Sequence, residues 1–138
     1  MLSKIAFALV GVAALALVGT AVAARPSGSS SITGPYLVTT SPTGSPVTAA
    51  STTTPLFGDT ITFNVSTTKT GNPFVNLVCS GDGVGYDSWA AFWPTNGNFV
   101  LSSPAWTGGA ADCTAYLVGY VSSTKYKVLA SMSFHVDA

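Results

Sequence analysis

Two stretches of alternating apolar and polar residues, 74–80 and 112–120, each carry one of the two cysteines in the chain. A period of two places every second side chain on one face of a β-strand. Val75, Leu77 and Cys79 then share one face, and Cys113, Ala115 and Leu117 share another. Each cysteine points where the apolar residues point, so the economical arrangement is two strands stapled by a Cys79–Cys113 disulfide, with the aromatic segment between them read as a hairpin. Closing a loop of about 35 residues restricts the unfolded chain by roughly 3–4 kcal/mol.

Disulfides persist in oxidising compartments, and the start of the chain agrees. Lys4 is followed by apolar residues 5–18, broken only by Gly11, and then by the small residues Ala21-Val22-Ala23-Ala24. Residues 1–24 therefore read as a cleavable signal peptide, which places the protein outside the cytoplasm, secreted or at the cell surface. The rival is an uncleaved anchor, because residues 5–24 are about long enough to cross a bilayer as a helix; this segment would then be the membrane contact. No cysteine stands at the cleavage site, so a lipid anchor is not expected. Residues 25–35, rich in Ser, Gly and Pro, read as a flexible linker, and residues 36–138 as one domain with one core.

The chain is 7% charged, with five basic and five acidic residues, against about 25% charged in ordinary globular proteins. Such a balance supplies no basic patch for nucleic acid. Weak charge repulsion leaves self-association open.

Residues 59–66 give the clearest further strand, with Ile61, Phe63 and Val65 on one face and Thr60, Thr62 and Asn64 on the other. Residues 36–39 read as a first strand, the Pro and Gly cluster at 41–46 as a break, and residues 47–54 as a return at the sheet edge. Ser80-Gly81-Asp82-Gly83 reads as a turn, and Asn96-Gly97 as a type I′ reversal joining residues 86–93 to Phe99 and Leu101. Val128, Ala130, Met132, Phe134 and Val136 form the apolar row of a last strand, with Leu129 and His135 on its other face. The expected fold is an all-β, antiparallel β-sandwich of about seven strands, preceded by the hydrophobic signal helix.

This strand order, with Gly108-Gly109-Ala110-Ala111-Asp112-Cys113-Thr114-Ala115 leading into a strand, resembles small secreted bacterial proteins with an immunoglobulin-like sandwich, over residues 36–136. The resemblance implies the immunoglobulin-like fold and binding or scaffolding roles, not a reaction. One feature departs from it. The usual bridge joins the second and sixth strands, with a core tryptophan after the first cysteine; Cys79 and Cys113 are too close in sequence for that, and are expected on neighbouring strands of one sheet.

Chemistry-bearing residues are few: one histidine and no glutamate. His135 as the base of a Ser/His/Asp set is a minor reading, and a surface histidine the ordinary one. Asp82 and Asp87 flank a Gly-rich turn that suits calcium in ligand type but matches no calcium-loop spacing; no metal or cofactor is expected. The candidate ligand-binding residues are the aromatics Tyr86, Trp89, Trp93 and Trp106, one row of which should be exposed. The expected function is a non-enzymatic exported domain for binding, adhesion or surface architecture, its partner a surface protein or polysaccharide. Two alternatives stand beside it: a carbohydrate-binding module using the exposed tryptophans, and a filament subunit that donates a strand such as residues 36–39 to a neighbour.

Overall fold

The computed structural model describes residues 28–48 and 54–138. The signal segment 1–24, the start of the linker and residues 49–53 of the edge segment lie outside them. Eight strands follow in order: β1 (Ser30–Thr40), β2 (Pro46–Thr48), β3 (Thr60–Thr67), β4 (Phe74–Gly81), β5 (Val84–Ala91), β6 (Phe99–Val100), β7 (Ala111–Ser122) and β8 (Lys125–Val136). They form two antiparallel sheets, β2-β1-β3-β6 and β5-β4-β7-β8. Among the described residues there is no helix.

Alternation builds the core as the sequence implies. Ile61 and Phe63 of β3, Val75, Leu77 and Cys79 of β4, and Cys113, Ala115 and Leu117 of β7 are all buried in one contiguous cluster. Phe63 spans the layers, meeting Phe99 in its own sheet at a 6.0 Å ring separation and Phe134 of the facing sheet at 5.9 Å. Aromatic pairs at such separations add to what burial alone contributes.

Cys79 and Cys113 form the disulfide, and they are directly opposed in the β4–β7 register with Cα atoms 4.1 Å apart. So short a spacing belongs to a non-hydrogen-bonded antiparallel pair, where side chains stand closest. The bridge thus lies within one sheet, on its inner side.

Four expectations need correction. First, β1 begins at Ser30, so residues 30–35 belong to a strand and not to the linker: Ser30–Thr33 pair with Thr67–Asn64, and the Ser30 and Thr67 hydroxyls bond at 2.7 Å. The backbone polar groups of this stretch have a ladder to join, which outweighs its loop-like composition. A register shift between Thr33 and Tyr36 accommodates Gly34-Pro35, where a Cβ on Gly34 would come within 3.0 Å of the Phe63 ring. Second, the aromatic segment is not a hairpin. β5 pairs with β4, and β6 crosses to β3 in the other sheet. Asn96-Gly97 is not a type I′ turn, since among the described residues no non-glycine residue, Asn96 included, has positive φ. Gly97 is needed for another reason: a Cβ there would lie 2.5 Å from that of Ala90 and 2.8 Å from the Ala91 carbonyl.

Third, Val128 is 45% exposed and Leu129 packs against the core. Leu117 pairs with Ala130 but Val118 with Val128, so Leu129 is an extra residue and the alternation changes phase there. Fourth, residues 36–39 are not a free strand: Tyr36 and Leu37 pair with β3, and Val38 and Thr39 with β2. Their pairing lies within the chain.

Candidate ligand-binding face

On β5 the inward residues are Val84, Tyr86, Ser88 and Ala90; the outward ones are Gly85, Asp87, Trp89 and Ala91. Trp89 stands 41% exposed on the outer face of the β5-β4-β7-β8 sheet. Its ring meets that of Tyr126 edge to face at 5.2 Å. Tyr126 in turn faces Tyr120, its direct cross-strand partner, at 6.3 Å, and Tyr120 meets Phe74 of β4 at 5.2 Å.

β5 and β8 are opposite edges of this sheet, so a ring contact between them requires the β7–β8 hairpin tip to lean across the face. The pairings explain how. β7 follows β4 only as far as Val118, and register shifts occur at Leu117/Val118 and Tyr120/Ser122. Beyond Val118 the tip is held by its own ladder, and the shifts add local twist. Val118 points outward yet is fully buried, and it stands outside the main core cluster. Its ladder partners are Phe74 and Val128, on the same outer face as the aromatic rings.

Polar groups adjoin the rings. Asn76 lies directly beside Trp89 in the ladder; its Nδ2 donates to Asp87 Oδ1 at 2.6 Å and to the Ser88 carbonyl at 3.2 Å. Further along the face the Thr114 and Ser133 hydroxyls are 3.0 Å apart. The result is a ridge of exposed rings flanked by an oriented amide–carboxylate pair and hydroxyls, on a surface with little charge.

The four aromatic candidates divide. Trp89 belongs to this face. Trp93, 63% exposed, lies just beyond β5 and makes no ring contact with the cluster. Trp106 is fully buried between Phe57 and Tyr86, at 5.6 and 5.7 Å, and its Nε1 donates to the Gly109 carbonyl at 3.1 Å. It has no surface to offer a ligand and is core. Tyr86 points inward against Trp106, and burial pushes its phenol pKa up, so it stays a neutral hydroxyl.

Phe74, Tyr120 and Tyr126 were not picked out from the sequence. The signal was present: Tyr120 and Tyr126 stand symmetrically about Ser123, as residues facing each other across a hairpin would.

No family model matches the chain. Neither curated proteins nor solved structures give a match.

At the other end of the outer face, His135 Nδ1 donates to Asp112 Oδ1 at 2.7 Å, and its Nε2 faces Asp137 Oδ1 at 3.5 Å. Both ring nitrogens thus face carboxylates, an arrangement that favours the protonated ring. Asp82 and Asp87 do not come together as calcium ligands: Asp82 is an exposed turn residue, and Asp87 is engaged with Asn76.

The hydrogen bond that His135 donates to Asp112, reinforced by the charges of Asp112 and Asp137, holds the His135 pKa above the ordinary 6.5. A group whose folded pKa is raised stabilises the fold fully below its unfolded pKa, and that contribution is lost as pH rises through the folded pKa. Asp112→Asn is expected to bring the His135 titration down toward about 6.5, followed by its ring proton NMR shifts. An unchanged midpoint would show that Asp112 is not the cause.

Proposed function

We propose that this chain is an exported, non-enzymatic, immunoglobulin-like domain that binds its partner on the outer face of the β5-β4-β7-β8 sheet. The strand order supports the fold reading. On this reading β1, β3 and β6 would correspond to strands A, B and E, and β4, β7 and β8 to C, F and G, with β5 beside C as in a variable-type sheet. The buried in-sheet disulfide supports an oxidising compartment, in keeping with the leader. The observation that carries the binding reading is the grouping of Trp89, Tyr120 and Tyr126, each 41–51% exposed, on one sheet face. Exposed contiguous aromatic surface marks interaction sites, and Trp and Tyr dominate the energetics of such sites.

A polysaccharide is the ligand class best matched by one specific feature. Sugar rings present apolar C–H faces and equatorial hydroxyls; Trp89 offers a ring face, and Asp87, held in place by Asn76, offers a fixed carboxylate acceptor beside it. Titration with soluble cello-, xylo- and chito-oligosaccharides is expected to change tryptophan fluorescence. Trp89→Ala should weaken binding at least about 30-fold, the loss expected of an aromatic hot spot. Trp93→Ala should leave it within about threefold. Equal losses in both variants would take the site away from this face, and no response to any of the three series would remove the polysaccharide reading.

A further inference from the structure

Main-chain groups on β5 alternate in direction. Phe92 N–H donates to the Pro73 carbonyl on the β4 side, whereas Gly85 N–H donates away from β4, to the Ala105 carbonyl. Odd-numbered residues of β5 therefore aim their N–H and C=O at the open edge. Gly85 is taken by Ala105 and by the Ser103 hydroxyl, and Ala91 is crowded by Gly97. Between them, the main-chain groups of Asp87 and Trp89 have no hydrogen-bond partner among the described residues. They open onto a cleft of about 450 Å3 whose walls include Tyr86, Ser88, Asn98 and Ser103.

Exposed edges template pairing with another chain, and proteins blunt them with proline, lysine, bulges, shortness or a covering segment. The other three edges carry these devices. β2 starts at Pro46, and β6 is only two residues long. β8 has Lys125 and Lys127 near its tip, a bulge at Leu129, and residues 55–57 bonded along its end through Asp137. β5 carries no proline, lysine or bulge, and residues 103–105 and Gly97 cover only its two ends, so the stretch from Asp87 to Trp89 stays open; Asp87 is its single charge.

We infer that β5 pairs antiparallel with β5 of a second copy of this chain, about a two-fold axis at Ser88. Charge and hydrogen bonding select this register. Centred on Ser88, the Asp87 N–H and C=O bond the Trp89 C=O and N–H of the other copy, and the reciprocal bonds complete the set, so every free edge group is used. Asp87 then faces Trp89, whereas an axis at Asp87 would oppose two carboxylates. With only 7% of residues charged, the copies repel little over longer range. The pairing joins two sheets into one and sets the two Trp89 clusters side by side on a shared outer face, yet it does not depend on what that face binds.

Sedimentation equilibrium of the purified chain should show its mass doubling with concentration. Ser88 of the two copies would form a non-hydrogen-bonded pair with Cα atoms about 4.5 Å apart, within disulfide reach. Ser88→Cys is therefore expected to oxidise to a covalent dimer, while Ser133→Cys, on the exposed outer side of β8, stays monomeric. Asp87→Pro removes an edge N–H that the fold does not use, and should lower dimerisation at least about tenfold with the β-sheet circular dichroism retained. A constant monomer mass at all concentrations, or cross-linking of Ser88→Cys no faster than that of Ser133→Cys, would overturn the inference even if Asp87→Pro fails to fold.

Discussion

Replacing Trp106 with alanine is expected to lower the unfolding free energy by about 3–5 kcal/mol, the range for emptying a large aromatic site in a core. Trp106 is among the largest fully buried side chains of the domain. It sits at the end of the sandwich where Phe57, ahead of β3, meets Tyr86 of β5, so it joins segments from both sheets. Its own backbone is tied by reciprocal bonds with Ser103 at 3.0 Å, which limits how far the loop can collapse into the space left. Trp106→Phe keeps most of the volume and loses the bond to Gly109, so its cost should be nearer 1–2 kcal/mol. Denaturant melts of both variants check this. A cost for alanine below about 1 kcal/mol, the range of ordinary surface changes, would mean that the indole is not the plug described.

The second large effect belongs to the disulfide. Cys79→Ala with Cys113→Ala is expected to cost about 3–4 kcal/mol, because closing a loop with a sequence separation of 34 removes conformational freedom from the unfolded chain. The native register does not need the bridge: β4 and β7 pair from Phe74–Val118 to Ser80–Asp112. The far-ultraviolet circular dichroism of the folded variant should therefore match that of the parent while its denaturant midpoint falls. Both sulfurs are buried, with Cys79 3% and Cys113 1% exposed, so a reductant should act on the parent only as fast as the chain opens. Rapid reduction under native conditions would contradict the placement of the bridge on the inner side of the sheet.

Much of this architecture is legible in the alternation of residues. Ile61, Phe63, Val75, Leu77, Cys113 and Leu117 declare their faces, because one side of each strand is core and a slip of one residue would expose the whole row. Sheet membership is less legible. Residues 86–101 look like a hairpin, since an Asn-Gly between aromatic runs is a local signal, yet β6 joins β3 through contacts distant in sequence. The bulge at Leu129 is invisible for a similar reason: Val128 and Leu129 are both apolar, and the phase is decided by pairing with Leu117 and Val118.

The outer aromatic face is half legible. Trp89 stood out by composition, but Tyr120 and Tyr126 join it only because the hairpin tip leans over the sheet. Trp106, equally prominent in sequence, is core, and its Gly-Gly surroundings gave no hint of Phe57 and Tyr86 beside it.

The most direct test is the set of indole N–H resonances in a nitrogen-15 correlation spectrum, one for each of the three tryptophans, followed as chito-, cello- or xylo-oligosaccharide is added. The expected result is that Trp89 shifts progressively with at least one series while Trp106, bonded to Gly109 inside the core, stays fixed and exchanges slowly with deuterium. A Trp89 signal that holds still in every titration, or a Trp106 proton that exchanges as fast as that of Trp93, would contradict the account.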